Sequence, residues 1–143
     1  MPELLKSFNI HRRKTNVGII LYNKAADLIA PFNGPNSRSS KKAISFVNAL
    51  NPEVLLQTRT DKGLIAADKQ LFTNAAGDRK KKQNVLVTFT DGRAWPQRRI
   101  KPFSETVPPL RVSGFYFIYA PFGVFFTVPP LMVKVTSAYE PTG

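Results

Sequence analysis

Short apolar runs alternate with segments of helical spacing along this 143-residue chain. Runs rich in β-branched and aromatic residues predict strands at 17–22, 27–32, 85–90 and 114–119. The second of these runs contains Pro31, which suits an antiparallel edge strand better than a central one. Apolar runs at 124–128 and 131–135 are further candidate strands, and Pro129 and Pro130 between them require a sharp turn.

Apolar residues at helical spacing predict helices between these strands. The first predicted helix ends near residue 9, a second spans about 40–50, and a third ends near Phe72. Thr60 or Asp61 is expected to cap the third helix, because both side chains accept hydrogen bonds from free N–H groups at a helix start. The alternation of strands and helices predicts a layered α/β domain.

The segment 115–133 is 19 residues long and carries no charge, which raises the question of a membrane span. It contains Pro121, Pro129 and Pro130, and three prolines would interrupt a spanning helix. We therefore expect one or two buried strands here and no membrane span.

The net charge of +12 favours contact with polyanions in general. Three basic clusters lie between apolar runs: one at 11–14, one of Arg79, Lys80, Lys81 and Lys82, and one of Arg98, Arg99 and Lys101. The last two clusters form a candidate polyanion-binding set, and the alternative interpretation is ordinary solvated loop charge. Aromatic residues are not interleaved with the basic ones, which does not favour recognition of nucleic-acid bases.

Two polar residues are candidate ligands for a hard cation. Asp91 follows the apolar run 85–90 directly, at the strand end where open α/β sheets place their ligand sites. Thr58 precedes the third predicted helix. A hydroxyl and a carboxylate at one edge of a sheet are suitable oxygen ligands for Mg²⁺ or Ca²⁺. The alternative interpretation is that Asp91 is a turn residue before Gly92 and that Thr58 is a plain loop residue.

No enzyme is indicated. The chain has no cysteine and a single histidine, and it lacks a nucleophile elbow, paired catalytic carboxylates and a phosphate-binding glycine loop. We therefore expect no small-molecule substrate.

Several segments, in order, resemble the von Willebrand factor type A domain of the extracellular-matrix, collagen-associated kind. They are LLKSFNI, TNVGIILYNKAADLIAPF, KKAISFVNAL, TRTDKGLIAADKQLF, NVLVTFTDGR and KPFSETVPPLRVSGFYFI. The resemblance covers about residues 3–118. We accordingly divide the chain into a partial domain at 1–120 and a divergent tail, rich in proline and aromatic residues, at 121–143.

The resemblance implies a doubly wound, Rossmann-like sheet with helices on both faces. It also implies adhesion to extracellular-matrix or cell-surface proteins, and a secreted location, although this chain carries no signal peptide. In the family, a metal-ion-dependent adhesion site is built from an Asp-x-Ser-x-Ser loop, a threonine and an aspartate. By position, the threonine is Thr58 and the aspartate is Asp91.

The chain departs from the family pattern in three places. It has no Asp-x-Ser-x-Ser, so we expect an incomplete site with low occupancy by Mg²⁺ or Ca²⁺. Leu56 and Gln57 stand where the family usually has glycines. The sequence starts within the first helix of the family, so we expect a sheet that lacks its first, central strand, and an atypical C-terminus after Ile118. Such a sheet would have to join the two strands that lost their neighbour, or be unstable.

Three functions follow as hypotheses. The first is a protein-binding adhesion module whose contact site is the edge of the sheet that carries Thr58 and Asp91. The second is a polyanion-binding protein for glycan or nucleic acid, and the third is an inactive fragment of a larger extracellular protein.

Overall fold

A computed structural model of the chain describes residues 2–50, 58–90, 101–106, 114–119 and 131–135. The helices are α1 (Pro2–Lys6), α2 (Ser40–Ala49), α3 (Thr60–Ala66) and α4 (Phe103–Thr106), with a 3₁₀ turn at Pro35–Ser37 and a π-helical segment at Ala67–Leu71 that continues α3. The strands are β1 (Val17–Tyr22), β2 (Ala26–Ala30), β3 (Val85–Thr90), β4 (Gly114–Tyr119) and β5 (Leu131–Val135). The element order confirms the α/β class, while the candidate strand at 124–128 and Asp91 lie outside the described residues.

The described strands form one mixed sheet in the order β2-β1-β5-β3-β4. Strands β3 and β4 pair in parallel, whereas β1 is antiparallel to β2 and β5, and β3 is antiparallel to β5. Consequently β1, β3 and β4 run in one direction, and their carboxyl ends lie at the same edge of the sheet. Strand β2 is an antiparallel edge strand, as predicted for the run that contains Pro31, although it ends at Ala30, one residue before that proline.

Strand β5 occupies the centre of the sheet, between β1 and β3. The sequence predicts that this position is empty, with β1 and β3 either joined directly or left in an unstable sheet, and the structure differs because β5 takes the place. Val135 pairs with both Val17 and Val85, and Leu131 pairs with both Leu21 and Phe89. The backbone of β5 thereby satisfies N–H and C=O groups of both neighbours, which would otherwise lie unpaired in the interior. A strand from beyond residue 120 is thus part of the sheet, and the division of the chain at that residue stays a prediction.

Helices cover both faces of the sheet, as expected. On one face, Leu5 of α1 and Ala43 of α2 pack with Val17, Ile19 and Val87 in the first core cluster. On the other face, residues of α3 and the π-helical segment pack with the alternate residues of the strands; this second cluster includes Leu64, Ala67, Leu71, Ile20 and Leu86. Because β1 is covered on both sides, nearly all of its residues are buried.

Gly18 allows the π-helical segment to approach β1 closely. A Cβ atom at this position would lie 2.8 Å from Cε1 of Phe32 and would collide with the Leu71 side chain. A residue with a side chain would therefore force Leu71 and Phe32, both fully buried, out of the second core cluster.

In the part of the chain that the structure describes, no helix has both the length and the apolar character that crossing a membrane requires. The uncharged segment 115–133 contributes instead most of β4 and the start of β5. The prediction of strands in this segment is confirmed at these two places.

Candidate functional site

The candidate site lies at the carboxyl ends of strands β1 and β3, which we call the carboxyl edge of the sheet. The Tyr22 hydroxyl donates a hydrogen bond of 2.8 Å to the backbone oxygen of Phe89, so it links the ends of these two strands directly. Tyr22 is fully buried. Strand β5 begins beside this hydrogen bond, because its first residue, Leu131, pairs with Phe89. This bridge fixes the spacing of β1 and β3 where the central strand starts.

The start of α3 is attached to the same edge. The backbone N–H of Arg59 donates to the carbonyl oxygen of Asn23 at 2.9 Å, and the Lys62 ammonium group donates to the carbonyl oxygen of Lys24 at 2.9 Å. Thr58, which precedes Arg59, is buried with an exposed fraction of 6%. The structure therefore brings Thr58 to the end of β1, close to the edge that the sequence predicts.

Asp91 lies outside the described residues, and only Thr90 before it is described as the last residue of β3. The pairing of Thr58 with Asp91 therefore stays a prediction.

A buried ion pair dominates the start of α3. The Arg59 guanidinium binds the Asp61 carboxylate through two hydrogen bonds, Nε to Oδ1 at 2.8 Å and Nη2 to Oδ2 at 2.7 Å. The exposed fraction of the Asp61 side chain is 1%, and that of Arg59 is 15%. The backbone N–H of Lys101 also donates to Asp61 Oδ2, at 3.2 Å. One carboxylate thus joins α3 to the segment that leads into α4.

The expectation that Thr60 or Asp61 caps α3 is wrong. Arg59 occupies the N-cap position, and no side chain makes a capping hydrogen bond there. Asp61 lies inside the first turn of the helix, and its carboxylate binds the Arg59 guanidinium and the backbone N–H of Lys101.

The ion pair sets the titration of both partners. Burial by itself would raise the pKa of Asp61, but the hydrogen bond from Arg59 and the backbone N–H of Lys101 outweigh it, so the pKa is lowered. The hydrogen bond to Asp61 raises the pKa of Arg59 above its ordinary value. Both groups therefore stay charged at neutral pH.

The described residues do not fit a divalent cation on their own. Among them, no group of three or more histidine, cysteine, aspartate or glutamate residues is arranged to hold a metal. The carboxylate nearest to Thr58 in sequence, that of Asp61, is fully engaged by a guanidinium, which is a cation itself. A hard cation needs at least six oxygen ligands, and Thr58 offers one.

The described members of the predicted basic set lie at opposite ends of the strands. Lys101 lies beside Asp61, near the start of α3. The cluster 79–82 precedes β3, at the opposite edge, and Arg98 and Arg99 lie outside the described residues. Strand β3 separates Lys101 from the cluster 79–82 by about its own length. The predicted combination of the two clusters, which includes Arg98 and Arg99, stays a prediction.

A shallow groove runs beside α3, next to the turn between β1 and β2. It has a volume of 280 Å³, and its lining includes Ala26, Ile65 and Ala66 together with Lys62 and Lys69. Ile65 is half-buried, whereas Lys69 is exposed and forms an ion pair of 3.0 Å with Asp68. The groove thus combines apolar side chains with two lysines.

A family model of the von Willebrand factor type A domain matches residues 1–117. The chain belongs to this family. Type A domains are generally interaction modules without enzymatic activity, they are often extracellular, and many bind a divalent metal at an adhesion site. The match ends before β5, so the strand at the centre of the sheet comes from a part of this type A domain that the family model does not cover.

Sequence reasoning missed two features of this type A domain. The Arg59–Asp61 pair has a local signal, since the residues are two positions apart, but their burial depends on the packing of α3 against the sheet. The Tyr22–Phe89 bridge has no sequence signal, because its partners are 67 positions apart and one of them is a backbone oxygen.

Proposed function

We propose that this type A domain is a secreted protein-binding module, and that its contact surface is the groove beside α3. The expected partner is an extracellular-matrix or cell-surface protein that presents an apolar side chain next to a carboxylate. The observation that carries the proposal is the combination of Ile65, which is only half-buried, with Lys62 and Lys69 in one groove.

The rigidity of the groove supports this proposal. Arg59 and Lys62 attach the start of α3 to the turn after β1 through hydrogen bonds to backbone oxygens. Leu64 of α3 and Ala67 of the π-helical segment, both fully buried, pack into the core. A surface that is fixed before binding loses less conformational entropy when a partner docks.

The replacement of Ile65 by aspartate tests the groove. We expect the variant to bind immobilised fibrillar collagen at least about tenfold more weakly, because it removes the apolar contact and repels a partner carboxylate. Surface plasmon resonance at fixed ionic strength, with EDTA in the buffer, measures the affinity.

Ser45→Asp is the matched control for Ile65→Asp. Ser45 is exposed on α2, so this variant adds the same charge to a helix surface away from the groove. Thermal unfolding of both variants establishes that they are folded. Equal binding by Ile65→Asp and the original chain would contradict the proposed surface, and absence of collagen binding by the original chain would contradict this partner.

We further propose that any metal site formed by Thr58 and Asp91 is weak. Two protein ligands leave at least about four positions of the coordination shell to water. If the dissociation constant is about 1 mM, a cation at that concentration stabilises the fold by about 0.4 kcal/mol. Protein binding at the groove therefore does not need the metal.

Thermal unfolding in EDTA, then Mg²⁺, then Ca²⁺, at fixed salt, tests the weakness of the site. We expect the midpoint to rise by no more than about 2 °C, since about 1 kcal/mol shifts a domain of this size by a few degrees. Asp91→Asn is the comparison variant. A rise of more than about 5 °C that Asp91→Asn abolishes would contradict the proposal and establish a complete adhesion site.

A further inference from the structure

Two basic segments that are distant in sequence meet at the edge of the sheet opposite the start of α3. The Arg79 guanidinium donates a hydrogen bond to the backbone oxygen of Lys14, 65 positions away. Lys14 belongs to the basic cluster before β1, and Arg79 belongs to the basic cluster before β3. One direct contact thus joins two clusters that the sequence keeps apart.

The strand pairing places the starts of β1 and β3, and the basic segments before them, at the same end of the sheet. Val17, the first residue of β1, and Val85, the first residue of β3, both pair with Val135 of β5. Strands β1 and β3 are therefore two strand spacings apart, or about 10 Å, where they begin. The basic residues that precede each strand lie side by side as a result.

We call the combined surface the basic edge; it consists of Arg12, Arg13, Lys14, Arg79, Lys80, Lys81 and Lys82. These are seven of the 21 lysine and arginine residues of the chain. Arg12, Arg13, Lys14, Lys80 and Lys81 are exposed, whereas Arg79 and Lys82 are half-buried. So dense a group of exposed cations produces a local field that attracts a polyanion.

A cavity beside the basic edge indicates the shape of the anion. It has a volume of 380 Å³ and is lined by Asp68 and Asp78 as well as Lys80 and Lys82. Its two carboxylates disfavour a compact anion inside the cavity. Of the five exposed cations, only Lys80 is among the residues that line the cavity. The others spread over two segments outside it, which suits an extended anion that lies across the surface.

The surroundings favour sulfate groups over nucleic-acid bases. The segments 11–14 and 79–82 contain no Phe, Tyr or Trp and a single imidazole ring, that of His11. Phe72, which lines the cavity, is half-buried beside the carboxylates. Binding of single-stranded nucleic acid normally uses exposed aromatic rings on which the bases stack. Guanidinium groups such as those of Arg12 and Arg13 bind tetrahedral oxyanions through paired hydrogen bonds and need no such ring.

We propose that the basic edge binds a linear sulfated polysaccharide, and that Arg79 positions the two halves of the surface. This function is independent of the groove beside α3, because the basic edge shares no residue with it. The basic edge differs from the predicted set, which joined Arg79–Lys82 to Arg98, Arg99 and Lys101. Of the second cluster the structure describes Lys101, which lies at the other end of the strands.

Titration of the full chain with a heparin dodecasaccharide, over a series of salt concentrations, tests the proposal. We expect Arg12→Ala/Lys14→Ala and Lys80→Ala/Lys81→Ala each to weaken binding about tenfold at physiological salt. Each double variant should also make the slope of log K against log salt shallower by about two, because each contact releases about one counterion. Loss in only one of the two variants would contradict a combined surface.

Lys41→Ala/Lys42→Ala is the matched control, because these exposed lysines of α2 lie outside the basic edge and the change in net charge is the same. If this control weakens binding as much as the other two, attraction by net charge explains the binding and the proposal fails. Duplex DNA with the same number of charges is the second probe. Equal or tighter binding of the duplex would replace the polysaccharide by nucleic acid and overturn the proposal.

A comparison of two single variants, Arg79→Gln and Lys80→Gln, tests the positioning role of Arg79. Arg79→Gln and Lys80→Gln each remove one charge, but only the first breaks the hydrogen bond to the Lys14 backbone. We expect Arg79→Gln to weaken heparin binding several-fold more than Lys80→Gln, with the same change in salt slope. Equal losses would mean that Arg79 contributes only its charge.

Discussion

Replacement of Asp61 by alanine is expected to lower the free energy of unfolding by about 3 kcal/mol. The substitution leaves the Arg59 guanidinium, whose exposed fraction is 15%, without its bidentate partner, and the Lys101 backbone N–H without an acceptor. Breaking a buried ion pair by removal of one member costs about 3–5 kcal/mol. The lower end applies here, because Arg59 can turn partly toward water. Urea denaturation measures the change.

The Asp61 carboxylate is also expected to make the stability of the domain depend on pH. Because the pKa of Asp61 is lowered in the folded state, its contribution is fully present above the unfolded value of about 4. That contribution to stability is lost as the pH falls from about 4, the pKa in the unfolded state, through the lower pKa of the folded state. The Asp61→Ala variant should therefore lose less stability than the original chain over this acidic range.

Asp27→Ala is the control for this substitution, since Asp27 is an exposed residue of the edge strand β2. We expect it to change stability by no more than about 0.5 kcal/mol. The double variant Arg59→Ala/Asp61→Ala should cost less than the sum of the two single variants, because the partners interact directly. Additive losses would contradict the ion pair as the cause.

Replacement of Gly77 by valine is expected to destabilise the fold by about 3 kcal/mol. Gly77 has a φ angle of +86°, which a β-branched residue adopts only with strain of about 1–3 kcal/mol. A Cβ atom at Gly77 would also lie 2.8 Å from the backbone nitrogen of Asn33. Backbone cannot move aside as a side chain can, so the collision adds to the strain. Thermal and urea unfolding measure the loss.

The collision at Gly77 also affects the contacts that hold this loop. The N–H of Asn33 donates to the Ala76 oxygen at 3.1 Å, and its side-chain amide donates to the Ala75 oxygen at 2.8 Å. Gly77→Asn should cost less than Gly77→Val, since asparagine tolerates a positive φ better. Ala75→Val, at an exposed neighbouring position, should be nearly neutral. A neutral Gly77→Val variant would mean that the loop adopts another conformation.

The local elements could be predicted well because their signals are local. Leu64, Ala67 and Leu71 recur at helical spacing and are all fully buried, as the pattern predicts. Likewise, the β-branched run 85–90 is a strand, and the run with Pro31 leads to an edge strand. In each case the residues that carry the pattern are also those that make the contacts.

The candidate site could be predicted only in part. The sequence indicates the correct edge for Thr58, because a loop after a strand and before a helix lies at the carboxyl end of the strands. It does not indicate that Asp61 is buried against Arg59, since that depends on the contact between α3 and the segment containing Lys101. Nor does it indicate that the basic clusters before β1 and β3 meet, because adjacency of loops depends on strand order.

The sequence alone determines the strands and helices of this type A domain, its positive charge and its lack of cysteine chemistry. Only the tertiary structure decides that β5 is the central strand, that Tyr22 bridges β1 and β3, and that Arg79 joins two basic segments. The physical reason is that periodicity and charge belong to neighbouring residues. The partner of a strand or a buried polar group, by contrast, is chosen among all segments by the requirement that interior N–H and C=O groups form hydrogen bonds.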